Sequence, residues 1–330
     1  MESIPLGDGG PQVSRVGLGL MGMSGIYGPA DEAESIATIH AALDAGITLL
    51  DTGDFYGMGH NEMLLRDALR GRDRGSVFIQ VKFGGQRDPR GAFIGHDTSP
   101  VMVKNSLAYT LQRLGTDYVD LYQPARLDPR VPIEDTVGAI AEMIDAGFVR
   151  YLGLSEMGAA TIRRAHAVHP VTALQIEYSL MSRGIEAEIL PTVRELGIAV
   201  TAYGVLSRGL LSTASARAIG PQDPRIRFPR FRAENLERNL DLLAALEKIG
   251  QEHGVSTAQL AFAWVLSRGP DIVPLIGTKR RDRLAEALGA LDLRLGADDL
   301  AALAAAVPPG QVAGDRYEAA QMAALDSEKP

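Results

Sequence analysis

The chain predicts a (β/α)8 TIM barrel. Eight short apolar segments alternate with stretches of helical periodicity, several helical stretches end in glycine, and acidic, basic and phenolic residues collect where the apolar segments end. Alternating strands and helices call for a parallel sheet, and eight repeats close it. A short hairpin is expected first, around Ile4 to Val13. The strand candidates are VGLGL from Val16, TLLDT from Thr48, VFIQVKF from Val77, YVDLYQ from Tyr118, YLGLS from Tyr151, ALQIEY from Ala173, AVTAYG from Ala199 and IVPLIGT from Ile272. Between them, helical spacing runs through AESIATIHAALDAG, EMLLRDALRG, VKNSLAYTLQRLG, EDTVGAIAEMIDAG, AATIRRAHAVH, IEAEILPTVRELG and TAQLAFAWVLSRG. Extra helices are expected over ENLERNLDLLAALEKIGQEHG and near ADDLAALAAAV, the latter followed by a polar tail. Gly84 to Pro100 and Ser212 to Phe231 read as long loops, a length that in a compact barrel suits covers over a site. No linker interrupts the pattern, so residues 1–330 are expected to form one domain.

Composition narrows the partners. At 330 residues and 46% hydrophobic, the chain is long enough for a large core. A net charge of −8 without a long basic run argues against nucleic acid and anionic membranes, leaving small molecules. Zero cysteines exclude disulfides, thiolate catalysis and cysteine-ligated metal. The N-terminus lacks a basic segment followed by an apolar one, and no apolar run is long enough to span a bilayer, so a cytoplasmic protein is expected.

Asp51, Tyr56 and Lys82 carry the chemistry. Asp51 and Lys82 end the second and third strand candidates and Tyr56 follows Asp51 by a few residues, which brings all three to the barrel face that holds active sites. A free phenol titrates near 10. A neighbouring ammonium favours the phenolate, which would make Tyr56 a usable general acid, and Asp51 would orient the lysine and keep it charged. Such a trio suits reduction of a carbonyl group.

Two other motifs compete for a nucleotide. Gly17, Gly19 and Gly22 have dinucleotide-fingerprint spacing, but the following SGIYGPAD is full of helix breakers, so a glycine-rich loop is the better reading. Ile276 to Arg283 crowds Lys279, Arg280, Arg281 and Arg283 at a helix start, where the dipole disfavours positive charge and an anion would offset it. A solvated basic turn is the alternative. Tyr27, in the first loop, and His96, in the loop after the strand of Lys82, could both reach the barrel mouth. His40, His166, His169 and His253 fall on or beside helices without metal-ligand spacing, so no metal is expected. Trp264 reads as core, and Glu34, Glu142 and Glu195 as solvated helix faces.

From about Gly17 to about Tyr317 the chain resembles the aldo-keto reductase superfamily, in the branch of bacterial reductases and potassium-channel β subunits. The likeness rests on GITLLDTGDFYGMGHNEMLL, SLAYTLQRLGTDYVDLY, LDPRVPIEDTVGAIAEMIDAGFVRYLGLSE, ALQIEYSLMSR, AYGVLSRGLL, PRFRAENLERN and PLIGTKRRDRLAEAL, in the family's order. The resemblance implies catalytic roles for Asp51, Tyr56 and Lys82 and NADPH as cofactor. Ser155 and Gln175 then match side chains on the nicotinamide carboxamide, Tyr203 the aromatic stacked on its ring, and Arg208 and Gly209 the loop over the pyrophosphate. Lys279 and Arg283, in the segment with Gly277 and Thr278, match the site of the adenosine 2′-phosphate, while Ala285-Glu286-Ala287 replaces a Glu-Glu-Asn run and keeps only Glu286. Glu156 stands where many relatives have asparagine. Arg316 and Tyr317 match a tail motif near the substrate.

One departure bears on mechanism. Where relatives read DLYYQHR, this chain reads DLYQPAR, so Ala125 occupies the position of a histidine that hydrogen-bonds the substrate carbonyl, with Arg126 after it. A water, His96 or Arg126 could fill the gap, or the site is slow by design. The smaller residue also leaves room for a bulky cyclic ketone or hindered aldehyde. The expected function is NADPH-dependent reduction of an aldehyde or ketone to the alcohol, with Tyr56 as acid. The alternatives are an NADPH-sensing regulatory module with weak or no turnover, and alcohol or sugar oxidation by the same site.

Overall fold

A computed structural model describes residues 1–329. The chain folds as a (β/α)8 barrel closed at its base by a hairpin. The hairpin strands are β1 (Ser3–Pro5) and β2 (Gln12–Ser14), paired antiparallel with Ile4 opposite Val13. The barrel consists of β3 (Gly17–Gly19), β4 (Leu49–Gly53), β5 (Phe78–Phe83), β8 (Val119–Pro124), β9 (Val149–Ser155), β10 (Val171–Glu177), β11 (Ala199–Tyr203) and β12 (Ile272–Gly277), each parallel to its neighbours, with β12 closing on β3. All eight expected strands are present. An antiparallel pair outside the barrel, β6 (Gly85–Arg87) and β7 (Phe93–His96), occupies the segment expected to be a plain loop.

The helices are α1 (Glu32–Asp44), α2 (His60–Ala68), α3 (Pro100–Leu114), α4 (Ile133–Asp145), α5 (Ala159–Val168), α6 (Ile189–Glu195), α7 (Thr213–Arg217), α8 (Ala233–His253), α9 (Thr257–Ser267), α10 (Arg281–Leu288), α11 (Ala297–Ala306) and α12 (Ala319–Ala324). Local chemistry sets their ends. Ser99 caps α3 with Pro100 in its first turn, and Gly115 ends it in the left-handed conformation. Ser256 and Gln259 form a reciprocal capping box on α9, whose Trp264 is buried in the core as expected. The second expected loop, Ser212 to Phe231, contains α7 and two 3₁₀ turns. The tail expected to be merely polar carries α12, and its Arg316, Leu325 and Asp326 are buried.

Two cores flank the strands. The larger lies between barrel and helices and includes Leu18, Leu50, Val81, Tyr122, Leu152 and Leu174. The smaller fills the barrel base, where Ile4, Leu6 and Val13 of the hairpin region pack on Leu49, Phe78, Leu121, Ala173, Ala199, Val273 and Leu275. Burying each large member contributes about 1.5–3 kcal/mol, so the hairpin is a stabilising plug. Close approach explains Gly17 here, because a Cβ would lie 2.6 Å from the side chains of both Leu275 and Leu49. Two residues further along the strands, the inward positions turn polar: Asp51, Gln80, Gln123, Gln175 and Thr201 follow Leu49, Phe78, Leu121, Ala173 and Ala199. The plug keeps the base dry and the polar positions open upward, toward the mouth.

Candidate active site

The strand register brings Asp51 and Lys82 together. Gly53 pairs with Lys82 and Asp51 with Gln80 across β4 and β5, so the two side chains enter the barrel one step apart. The Lys82 ammonium is hydrogen-bonded to Asp51 Oδ1, and both groups are nearly inaccessible. The same oxygen accepts from Gln175 Nε2 at 2.8 Å and Gln80 Nε2 at 3.1 Å, and Gln80 also donates to Thr201 Oγ1 at 3.3 Å. Burial lowers the Lys82 pKa, and the Asp51 carboxylate opposes this. Gln175, expected on the carboxamide, thus has its amide engaged by Asp51 here.

Tyr56 begins a 3₁₀ turn after β4, and Lys82 Nζ lies 5.2 Å from its ring centroid. Phe55 meets the ring edge-on at 5.0 Å between centroids. Burial, then the Asp51 carboxylate, push the phenol well above its ordinary pKa, with Arg126 opposing. The Lys82 ammonium, engaged by Asp51, does not offset that burial. Tyr56 is therefore protonated at neutral pH.

Ala125 follows β8, buried, its amide donating to Phe83 O at 2.9 Å. Beside it, the Arg126 guanidinium donates to Ala125 O at 2.6 Å and to Tyr317 Oη at 3.5 Å. His96, on β7, is held through its carbonyl by Arg130. Its buried Nδ1 has no partner among the described residues, and burial together with Arg126 lowers its pKa to about 4. The imidazole is neutral at pH 7.

Glu156 organises the rest of the mouth. It sits just beyond β9 with φ of +53°, a left-handed backbone that a glutamate adopts only under constraint. Its buried carboxylate accepts from Tyr203 Oη at 2.7 Å, the Glu177 amide at 2.9 Å, both Arg316 Nη atoms at 3.0 and 2.8 Å, and Ser327 Oγ at 2.6 Å. Burial would raise its pKa, yet Arg316, Arg126 and Ser327 hold it at about 2. Arg316 also reaches Glu177 at 3.3 Å and Glu328 at 2.6 Å, which ties the C-terminal tail across the barrel. Arg230 donates to Ser182 Oγ at 2.9 Å, Ser207 Oγ at 3.1 Å and Met181 O at 2.9 Å and fixes the segment after β11. Glu177 and Arg230 escaped the sequence reading. The signal available was two strand-end acids, Glu156 and Glu177, that need buried cations.

Tyr203 closes β11, its hydroxyl 3.1 Å from that of Tyr317. The next turn places Ser207 and Arg208 at φ of +46° and +55°, with the Arg208 guanidinium between Phe228 at 4.2 Å and Tyr317 at 4.6 Å. Gly209 is required there, because φ is +88° and a Cβ would lie 2.4 Å from Ser215 Oγ. Tyr27 borders the same space: burial raises its pKa, and the charge of Arg208 opposes this.

The basic turn is partnered by the chain itself. Lys279 Nζ donates to Pro29 O at 2.6 Å and Gly28 O at 3.2 Å, Arg280 pairs with Asp282 at 2.5 Å, and Arg283 with Glu286 at 2.7 Å. Glu34 of α1 accepts from the Arg281 amide at 3.0 Å and its guanidinium at 2.8 Å, so a carboxylate already stands at the start of α10. Glu34 lies on a solvated helix face, as expected, and forms an inter-helix ion pair there, as Glu142 does with Lys104 and Glu195 with Arg163. Gly277 ends β12, and Thr278 Oγ1 accepts from the Arg280 amide at 3.2 Å.

The donor set fits a nicotinamide dinucleotide. Ser155 Oγ, buried at the end of β9 beside Gln175, has no partner among the described residues, Tyr203 lies half-buried at the end of β11, and the Arg208 guanidinium, held between aromatic rings, has no carboxylate partner among them. No grouping of His, Cys, Asp and Glu suited to a metal occurs among the described residues. None of the described helices is long and apolar enough to cross a membrane.

Comparison with known proteins agrees with this geometry. The model of the aldo/keto reductase family matches residues 15–308. A probable aldo-keto reductase 1 from Glycine max is 42% identical over 321 residues, covering 96% of this chain and 92% of that protein. Among solved structures, a glycerol dehydrogenase from Gluconobacter oxydans superposes with a TM-score of 0.81 at 28% identity, covering 91% of this chain and 94% of the other. The holo form of an aldo-keto reductase from Bacillus halodurans gives 0.77 at 26%, covering 93% and 96%. The match over nearly the whole chain, on a barrel whose polar strand ends converge at one mouth, shows that the chain belongs to the aldo-keto reductase family and is an oxidoreductase.

Proposed function

We propose that the chain is an NADPH-dependent carbonyl reductase in which Tyr56 is the general acid. NADPH supplies the hydride to the carbonyl carbon of an aldehyde or ketone. Tyr56 gives its proton to the oxygen as negative charge develops there, and Lys82, anchored by Asp51, stabilises the phenolate that remains. Ser155 and Gln175 would hold the carboxamide, Tyr203 the ring, Arg208 and Gly209 the pyrophosphate, and Lys279, Arg283 and Glu286 the adenosine end, with Gly277 and Thr278 shaping that turn. The observation that carries the reading is the buried Tyr56 beside the Lys82–Asp51 pair. Oxidation of an alcohol, the direction in the name of the Gluconobacter oxydans relative, would use the same residues in reverse. The absence of cysteine fits a reducing compartment such as the cytoplasm, and a net charge of −8 without a long basic run favours small-molecule partners.

The test is NADPH consumption by the purified protein with aldehydes, cyclic ketones and keto-sugars, wild type beside Tyr56→Phe and Ala125→His. Turnover that disappears in Tyr56→Phe supports the mechanism, and Ala125→His then reads out what the missing imidazole costs. Tight NADPH binding without turnover of any carbonyl would favour the sensor reading.

A further inference from the structure

Four guanidinium groups face the barrel mouth, and their partners differ in kind. Arg230 and Arg316 lie against the carboxylates of Glu177 and Glu156. Arg208 is held between the aromatic faces of Phe228 and Tyr317. Arg126 alone of the four hydrogen-bonds only neutral oxygens, the carbonyl of Ala125 and, at the limit of distance, the hydroxyl of Tyr317. Its remaining donors have no acceptor among the described residues. A guanidinium offers five donors in a planar fork suited to a carboxylate, and the half-buried Arg126 keeps donors free for an incoming anion.

The position of Arg126 points the same way. It follows β8 directly, where Lys82 pairs with Gln123 and the Ala125 amide bonds Phe83 O, so its main chain is rigidly placed beside the strand that carries Lys82. Its guanidinium approaches Tyr317 Oη, itself 3.1 Å from Tyr203 Oη at the end of β11, and its charge acts on both Tyr56 and His96. His96 carries an unpartnered Nδ1. No carboxylate hydrogen-bonds Arg126 among the described residues: Glu156, whose charge acts on it from nearby, is bonded to Arg316, Tyr203 and Ser327, and Asp128 to Arg130 at 2.8 Å.

We propose that Arg126 is the substrate-recognising residue of the site and that the preferred substrates are oxo acids, aldehydes or ketones whose carboxylate pairs with its guanidinium while the carbonyl oxygen meets Tyr56. This inference rests on the reductase reading and deepens it by naming the substrate class. Hydride would pass from NADPH to the carbonyl carbon and the proton from Tyr56 to the oxygen, giving a hydroxy acid, NADP+ and a Tyr56 phenolate that regains its proton from water.

The experiment uses matched acid and ester pairs, 4-carboxybenzaldehyde with methyl 4-formylbenzoate and 2-oxobutanoate with its methyl ester, on wild type, Arg126→Gln and Arg126→Lys. Wild type is expected to prefer at least one acid over its ester by about tenfold or more in kcat/KM. Arg126→Gln should lower that acid-to-ester ratio by about 30-fold or more, chiefly through KM, and Arg126→Lys should restore part of it. NADPH affinity by fluorescence should stay with wild type. Equal loss on acid and ester, no acid preference in either pair, or a change confined to NADPH affinity would overturn the proposal. Failure of wild type on every carbonyl sinks the reductase reading instead. Benzoate against benzamide binding to the NADPH complex, wild type beside Arg126→Gln, then decides Arg126 separately: discrimination for benzoate that is lost in the variant supports anion recognition, and its absence in wild type ends it.

Discussion

Gln175 donates to Asp51 Oδ1 at 2.8 Å, so an amide on β10 and the acid on β4 meet across the barrel interior on the oxygen that also holds Lys82. One carboxylate oxygen therefore coordinates three strands, and its charge is matched by a single buried ammonium. Removing either charge strands the other in a poorly solvated interior. Asp51→Leu and Lys82→Met are each expected to destabilise the fold by about 3–5 kcal/mol, whereas the double variant Asp51→Leu/Lys82→Met recovers most of that loss because no unpaired charge remains. Urea unfolding of the four proteins in a double-mutant cycle checks this, and strictly additive losses would refute it.

Asp54 lies between Asp51 and Tyr56, and its amide donates to Lys82 O at 2.9 Å. Its side chain borders a cavity of about 220 Å³ lined by Phe55, Met58, Arg87, Tyr109 and Arg113. Burial, then the Glu62 carboxylate, raise its pKa from 3.8 to about 7, with Arg113 opposing. For an acid raised on folding, the native state binds more protons than the unfolded one between those values, so stability falls as pH rises through the window. Asp54→Asn has no charge to bury. Its melting temperature relative to wild type should climb between about pH 4 and about pH 7 and level off above that range. A difference independent of pH would show that Asp54 is not protonated on folding.

The barrel was legible because parallel strands covered on both faces read as short apolar runs, and Asp51, Lys82 and Tyr203 ended such runs. The pair of β6 and β7 escaped because Phe93 and Ile94 are exposed and the segment shows no alternation, although DPRG marked its turn. The tail was misread for a different reason. Arg316 and Ser327 look like solvent-exposed residues until Glu156, 160 positions away from Arg316, is known to be buried beneath them. The basic turn repeats the lesson, since Glu34 reaches Arg281 across 247 positions. Periodicity reports which face a residue occupies, and carries no information about which distant charge meets it.

The Glu156–Arg316 pair makes a second pH-dependent prediction of opposite sign. The Glu156 carboxyl drops from an ordinary 4.5 to about 2 on folding, so its contribution is complete above the unfolded value and disappears as pH falls from about 4.5 to about 2. Glu156→Gln is expected to lose about 3–5 kcal/mol at pH 7, because Arg316 remains buried without its main counter-charge. The gap to wild type should hold down to about pH 4.5 and close by about pH 2, read by chemical unfolding across pH. Unchanged stability at pH 7 would mean that Glu177 and Glu328 alone suffice for Arg316.

Arg283 and Glu286 are partnered 2.7 Å apart on the first turns of α10, half-exposed and free to exchange partners. If the adenosine 2′-phosphate lodges at this turn, it must compete with Glu286 for the guanidinium, and it gains a charge-assisted hydrogen bond of about 1.5–3 kcal/mol when it wins. Arg283→Ala should then lower the NADPH-to-NADH affinity ratio by about 10- to 100-fold with NADH itself little changed. Glu286→Gln should shift the ratio the other way by a few-fold, since it removes the competitor and keeps the shape. Fluorescence titration of both cofactors against the three proteins separates the outcomes. A ratio unmoved by Arg283→Ala would leave Lys279, held on the carbonyls of Gly28 and Pro29, as the cation that reads the phosphate.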